Sequence, residues 1–205
     1  MMCPAVNPAA FRELPEGFHF RMCRPDELDT WKAMLLDFPH TQETHDEYMQ
    51  IMTNYYNDVY ADKSDLFFQK CLFACDENDT PVGRGFIWKA YDTFNSIHWY
   101  KVLKPYENRG IGRAILTKIM RELKDEDYPV FLHTHPSSFR AIKLYSDFGF
   151  RLISDPVVGY RNNDLEECLP ILEKFMPKND FDNMRIIKAP QYFLDAAAFT
   201  TVSEF

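Results

Sequence analysis

The chain lacks several features that would place it in a class at once. No apolar run approaches the ~18 residues of a membrane span, and Met1 to Arg12 shows no basic stretch followed by an apolar one, so no signal peptide is visible. These absences predict a cytoplasmic protein with no membrane partner. Basic residues are short: 23 Lys and Arg stand against 31 Asp and Glu, a net charge of −8. That argues against nucleic acid or an anionic membrane as a partner, since both attract basic surfaces, and it favours a cationic substrate. The five cysteines, at 3, 23, 71, 75 and 168, form no CxxC pair. Cys71 and Cys75 fall in one apparent strand and would lie about 13 Å apart at ~3.3 Å per residue. That is too far for a disulfide, and they read as small core residues. No internal repeat or low-complexity segment breaks the 205 residues, whose length fits one domain with an appendage. With 46% hydrophobic and 16% aromatic residues, the chain can bury a sizeable core.

What the chain does contain is a glycine turn between two periodic segments. Glu107-Asn108-Arg109-Gly110-Ile111-Gly112-Arg113 follows an apolar, aromatic run from Ile97 to Leu103. It precedes Ile111, Ile115, Ile119 and Leu123 at four-residue spacing, with Leu116 and Met120 beside them, which is a helical pattern. The glycines therefore sit where a strand turns into a helix. Such a turn presents unpaired backbone N–H groups in one direction, and the helix dipole adds positive potential. That makes an anion site, for which phosphate is the usual ligand. Glycines at 110 and 112 remove side chains that would hold a phosphate away. No Gly-Lys-Ser/Thr follows, which excludes a Walker loop, and no third glycine completes a dinucleotide fingerprint.

The pattern resembles motif A of the GNAT (Gcn5-related) N-acetyltransferases, Gln/Arg-x-x-Gly-x-Gly/Ala, which wraps the pyrophosphate of acetyl-CoA. Here it reads Glu107-x-x-Gly110-x-Gly112, with Glu107 where that family usually has Gln or Arg. A second stretch, Ser138-x-x-Ala141-x-x-Leu144-Tyr145-x-x-x-Gly149-Phe150, resembles motif B of the same family, with Ser138 in place of Asn. The order also matches: helix, strand (Val130 to Thr134), helix, Gly-Phe. The resemblance covers about residues 16 to 160.

It implies an α/β (α+β) fold, a mixed, mostly antiparallel sheet of six or seven strands flanked by helices, with a V-shaped cleft between two central parallel strands. The expected organisation is an N-terminal arm at 1–15, an acetyltransferase domain at 16–160, and a C-terminal helical extension and tail at 161–205. The implied activity is transfer of an acetyl group from acetyl-CoA, as co-substrate, to a primary amine of a small, cationic molecule. The amine attacks the thioester directly in a ternary complex. The resemblance assigns coenzyme contacts to Lys101, Val102, Leu103, Asn108, Arg109, Gly110, Ile111, Gly112, Arg113, Ser138, Arg140, Ala141 and Tyr145. Backbone N–H groups around Lys101 to Leu103 would polarise the thioester carbonyl, and Tyr145 would protonate the departing thiolate. No Glu falls on the central strands to deprotonate the amine. His98, His133 and His135 are the nearest titratable groups; His98 and His133 stand as catalytic candidates and His135 as a substrate contact. Two alternatives stay open: a peptide or protein N-acetyltransferase, and a CoA-binding regulatory module without catalysis. A homodimer is also left open.

Residues 41 to 62 carry Tyr48, Met52, Tyr55, Tyr56 and Tyr60 among acidic residues, with Thr41 or Thr44 as caps. They read either as an amphipathic helix with its aromatic face on the core, or as a cover in which Tyr48, Met52 and Tyr56 hold a cationic amine by cation–π contacts. Phe18 to Cys23, Leu66 to Cys75, Pro81 to Tyr91 and Ile97 to Leu103 read as strands, with turns at 76–80 and 92–95. His133 and His135 project to one face, but no third ligand besides His98 is marked, so no metal is expected. Beyond Phe150 the sequence predicts a hairpin or a strand and loop at 151–161, a helix from Leu165 to Phe175 and a strand at 184–188. Pro190 to Phe205 shows no clear pattern and reads as a docking tail or a poorly ordered end.

Overall fold

A computed structural model describes residues 1–159, 161–198 and 204–205. In chain order the first elements are β1 (Met2–Cys3), β2 (Phe18–Met22), α1 (Leu28–Ala33), α2 (Gln42–Val59), α3 (Ser64–Lys70), β3 (Leu72–Asp76) and β4 (Pro81–Ala90). Then come β5 (Phe94–Val102), α4 (Ile111–Arg121), β6 (Val130–Phe131), α5 (Phe139–Asp147), β7 (Leu152–Ile153), β8 (Val157–Val158) and β9 (Arg161–Asn162). The last are α6 (Leu165–Phe175), α7 (Lys178–Asp182), β10 (Ile186–Ile187) and α8 (Gln191–Ala198). Six strands form one sheet in the order β1-β6-β5-β4-β3-β2, and β10-β7 and β8-β9 form two small pairs. β2, β3 and β4 pair antiparallel, while β5 and β6 pair parallel through Asn95↔Val130 and Ser96↔Phe131. A mixed, mostly antiparallel sheet with helices is thus the architecture.

By packing, the chain divides into two compact units. One comprises residues 12–87 and 98–121; the other comprises 1–11, 88–97 and 122–205. β4 and β5 run through both.

In the unit built on residues 12–87 and 98–121, the core is aromatic. The Trp31 ring meets Tyr56, Tyr60, Phe67 and Trp99 edge-on at centroid distances of 5.1–6.3 Å. α2 begins where Thr41 caps it: its side-chain oxygen accepts from Thr44 N–H at 3.2 Å. Met52 and Tyr56 are its buried residues, while Glu43, Asp46, Glu47 and Asp58 are exposed. α4 buries Ile111, Ala114, Ile115, Leu116, Ile119 and Met120, the stripe its sequence period predicts. The run Leu66 to Cys75, expected as one strand, is helix α3 followed by β3. Only Phe67 of the Leu66-Phe67-Phe68 run is buried, one apolar residue per turn, and a short apolar run does not by itself distinguish helix from strand.

The other unit centres on Met2, Ala90, Phe94, Phe131, Ile153 and Phe193. Phe193 of α8 stacks on Phe131 at 3.9 Å with an interplanar angle of 4°. Two expectations change here. Residues 1–15 are not wholly an irregular arm, because Met2 and Cys3 pair antiparallel with Phe131 and Val130 and are buried. Two residues are too few to show a period. At the other end the choice between a docking tail and a poorly ordered one narrows to docking for residues 204–205: Tyr91 N–H donates to Glu204 Oε2 at 2.9 Å, and Phe205 packs on Phe94 and Phe193. The intervening 199–203 lie outside the described residues. The 92–95 turn shrinks to Tyr91–Thr93, because Tyr91 and Asp92 both adopt positive φ (51° and 52°), the backbone of a tight hairpin turn, and the strand restarts at Phe94. Gly149 ends α5 at φ 100°, and a Cβ there would lie 2.7 Å from Ala5 O, so the Gly-Phe pair after α5 needs a glycine.

Candidate active site

The glycine turn lies in the unit of residues 12–87 and 98–121. A 3-10 turn at Lys104–Tyr106 leaves β5, and the loop then reaches α4 through two left-handed residues, Asn108 (φ 60°) and Gly110 (φ 87°). Within 4 Å, a Cβ on Gly110 would meet only Pro15 Cγ, at 3.5 Å. At Gly112 a Cβ would lie 2.2 Å from Tyr100 Oη, so a side chain there would displace the tyrosine. The first turn of α4 carries no acidic residue. Its leading N–H groups, at Ile111 and Gly112, lie at the positive end of the helix. The donors suit a pyrophosphate, so the loop fits the coenzyme that motif A implies. The Arg109 guanidinium lies over the Tyr106 ring, 5.2 Å from its centroid.

Half-buried Glu107 precedes this loop, its N–H bonded to Lys104 O at 3.2 Å. A carboxylate beside an anion site opposes the ligand, so Glu107→Gln is expected to leave the CoA dissociation constant equal or lower by titration calorimetry. A several-fold weaker affinity would show instead that Glu107 helps the loop, by holding Arg109 or Arg113.

β5 supplies the next part. Leu103 N–H donates to Val82 O at 2.9 Å, which removes it as a donor to a thioester carbonyl. N–H directions alternate along a strand, so the Val102 N–H faces the opposite edge. The Lys101 ammonium pairs with Asp37 at 3.3 Å, and the same carboxylate accepts from Lys104 N–H. His98 is 6% exposed, and its Nδ1 meets Tyr60 Oη at 2.5 Å. Burial lowers its pKa to about 3. It is therefore a neutral histidine at pH 7, buried in the aromatic core against Tyr60. Met52 and Tyr56, expected at the acceptor, are 0% and 8% exposed inside the aromatic core, so α2 turns that face inward. Tyr48 is half-buried, and its hydroxyl has no hydrogen-bond partner.

Motif B lies in the other unit. Ser138 and Arg140 are exposed at the start of α5, Ala141 is half-buried, and Tyr145 is 6% exposed one turn on, with its ring 5.8 Å from Phe150. Burial pushes the Tyr145 phenol well above its ordinary pKa, so it keeps its proton at neutral pH. Beyond β6, His133 Nδ1 lies 2.7 Å from Arg161 Nη1. An arginine only donates, so Nδ1 accepts and the imidazole proton sits on Nε2. Partial burial, with the Arg161 charge added, lowers the His133 pKa to about 4. His135 Nδ1 accepts from Ser137 N–H at 3.3 Å. His133, His135, Asn163, Asp164 and Cys168 line a cavity of about 210 Å³ together with apolar groups such as Ile142. Sequence reading passed over Arg161, whose tie to His133 crosses 28 residues, and also Arg84 on β4. The signal for Arg84 was present: one cation in the apolar run from Val82 to Trp88.

Among the described residues, one group has three potential metal-ligand atoms close together: His19, Cys75 and Asp79. Arg21 and Arg24 both bind the Asp79 carboxylate, at 2.6 and 2.7 Å, so that group is an ion-pair network. Among the described residues, no helix is long and apolar enough to cross a membrane.

The model of the Acetyltransferase (GNAT) family matches residues 30–150, more than half of the chain. Similar solved structures include PH1933 from Pyrococcus horikoshii OT3, 17% identical with a TM-score of 0.52 over 67% of this chain and 91% of that one. A GNAT-family acetyltransferase from Staphylococcus aureus Mu50 is 18% identical, with a TM-score of 0.46 over 66% and 84% of the two chains. Arabidopsis thaliana Naa50, in complex with the bisubstrate analogue CoA-Ac-MVNAL, is 23% identical, with a TM-score of 0.46 over 72% and 91%. With motif A on a strand–helix turn, motif B on the following helix and the family model spanning both, the chain belongs to the GNAT family of acetyltransferases, which transfer an acetyl group from acetyl-CoA.

Proposed function

We propose that this acetyltransferase acetylates the primary amine of a small molecule, which attacks the thioester directly while both substrates are bound. The observation that carries the reading is the size of the cavity beyond β6. At about 210 Å³, lined by His133, His135 and apolar groups such as Ile142, it suits a small amine. In the reaction the amine nitrogen bonds to the carbonyl carbon, the C–S bond breaks, the amine loses a proton and the sulfur gains one. In this reading the loop at 108–113 takes the pyrophosphate and Val102 N–H the carbonyl, and the resemblance of motif B assigns the proton for the sulfur to Tyr145. The net charge of −8 draws cationic amines toward the enzyme. The reading also places the enzyme in the cytoplasm.

CoA release from acetyl-CoA, followed across small amines and short peptides, tests the proposal. Turnover is expected with small primary amines, at least about tenfold faster in kcat/KM than with peptides. Turnover confined to peptides would replace the reading with a peptide N-acetyltransferase. No turnover despite tight CoA binding would leave a binding module.

The histidines allow a further expectation. With His98 at about 3 and His133 at about 4, both imidazoles are already deprotonated above pH 5.5 and contribute no titration there. An alkyl ammonium loses its proton near ~10. Log kcat/KM is therefore expected to climb with a slope near one from pH 5.5 to 9, without a break around 6.5. A break at that pH which disappears in His133→Gln would make His133 the base.

A further inference from the structure

Arg84 sits in the middle of β4 and is 0% exposed. Its Nε donates to Trp99 O at 3.1 Å. That carbonyl belongs to a residue at φ 51° within β5, a local break in strand geometry, so one of the arginine's donors has a structural task. Nη1 and Nη2 have none: among the described residues neither finds a hydrogen-bond partner. Burial lowers the guanidinium pKa to about 10, which still leaves it charged at pH 7. A buried, unpaired charge is costly, and a guanidinium cannot shed its proton to escape that cost. The faces of Trp31 and Trp99, 4.9 and 5.7 Å from Cζ, compensate only part of it.

Two more orphans lie around the same group. Trp31 Nε1 and Tyr48 Oη are buried without partners. The Trp31 ring covers the guanidinium, and Tyr48 feels its charge. Every unpartnered atom in this cluster is able to donate, and none is solely an acceptor. Such a set calls for a ligand that only accepts. The fork of Nη1 and Nη2 matches the two oxygens of a carboxylate. One positive charge calls for one negative charge, and flanking indole faces favour a planar group over a tetrahedral one.

We propose that Arg84, with Tyr48 and Trp31, forms a buried receptor for a single carboxylate group. The group belongs either to a free monocarboxylate or to an acceptor amine that also carries a carboxylate. The receptor lies within the unit of residues 12–87 and 98–121; its acceptor arm rests on the small-amine reading above, and its free-acid arm does not.

Thermal unfolding of wild type, Arg84→Met and Tyr48→Phe, with sodium formate, acetate, glycine or β-alanine against matched sodium chloride, tests it. At about ten times the dissociation constant, a carboxylate is expected to raise the wild-type Tm by about 3–5 °C over chloride. Arg84→Met is expected to abolish the shift. Tyr48→Phe is expected to weaken apparent affinity about fivefold to tenfold, with an unliganded Tm no lower than wild type, because it deletes an unsatisfied hydroxyl. If Arg84→Met does not fold, Tyr48→Phe alone carries the comparison. The source is read in parallel. Glycine or β-alanine preferred as acceptor over methylamine or ethylamine by about 100-fold in kcat/KM assigns the carboxylate to the acceptor. Acetate or formate shifting Tm without that preference assigns it to a free acid. The proposal is overturned if no carboxylate exceeds chloride, or if the shift persists unchanged in the variants. Neither result touches acetyl transfer, which the CoA-release assay reads separately.

Discussion

Tyr145→Phe is expected to lower kcat by about 10²- to 10⁴-fold, the range typical of a lost general acid. The phenol holds its proton at neutral pH because burial pushes its pKa up. In the proposed reaction its hydroxyl acts only on the sulfur that leaves, so the contact strengthens in the transition state. Removing a contact of that kind lowers kcat and kcat/KM together, with KM for acetyl-CoA little changed. Phe keeps the ring and its packing 5.8 Å from Phe150, so Tm is expected to fall by no more than a few degrees. The measurement is single-turnover acetyl transfer, which removes slow CoA release from the rate. A rate within about twofold of wild type would make Tyr145 a core residue.

Gly110→Asp is expected to remove all stabilisation of the protein by CoA. A ligand that binds only the native state raises Tm with its concentration, and wild type should show that rise in a thermal scan with CoA. At position 110 the backbone has φ 87°, where an L side chain is strained, although the space around the Cβ is otherwise open to Pro15. The aspartate therefore fits sterically at a cost of roughly 1–2 kcal/mol in the backbone. Its carboxylate projects from the loop that leads into α4, against the pyrophosphate. Repulsion and bulk act in the same direction. A variant that folds and still gains stability from CoA would sink the assignment of this loop. Gly110→Ala separates the two causes: it carries the backbone strain without the charge and should retain part of the CoA response.

Local patterns made much of this protein legible in its residues. The strand–glycine–helix order from Ile97 to Leu123 marked the turn into α4, because a helical period next to a strand-like run is encoded within 27 consecutive residues. Motif B marked α5, and Thr41 marked the start of α2. The inward or outward sense of α2 was not legible. Tyr48, Met52 and Tyr56 suit a core as well as an acceptor site, and only their packing with Trp31 and Phe67 resolved it inward for Met52 and Tyr56. The β1 pairing of Met2 and Cys3 was hidden for a related reason: its partners, Phe131 and Val130, lie well over a hundred residues away.

The chemistry of the histidines and of Arg84 was decided by tertiary structure alone. A sequence assigns each ionisable group its ordinary pKa, and the fold then sets solvation and neighbours. His98 loses its water inside an aromatic core, and His133 receives a proton donor from Arg161. Arg84 ends in a place where, among the described residues, its one hydrogen-bond partner is the carbonyl of Trp99, a residue with left-handed backbone. None of these facts has a period or a spacing. By itself, the sequence determined the glycine turn, the helix after it and the family, because these depend on residues close in the chain. Which groups carry charge, which are buried and what they face depends on residues far apart, and only the folded chain brings those together.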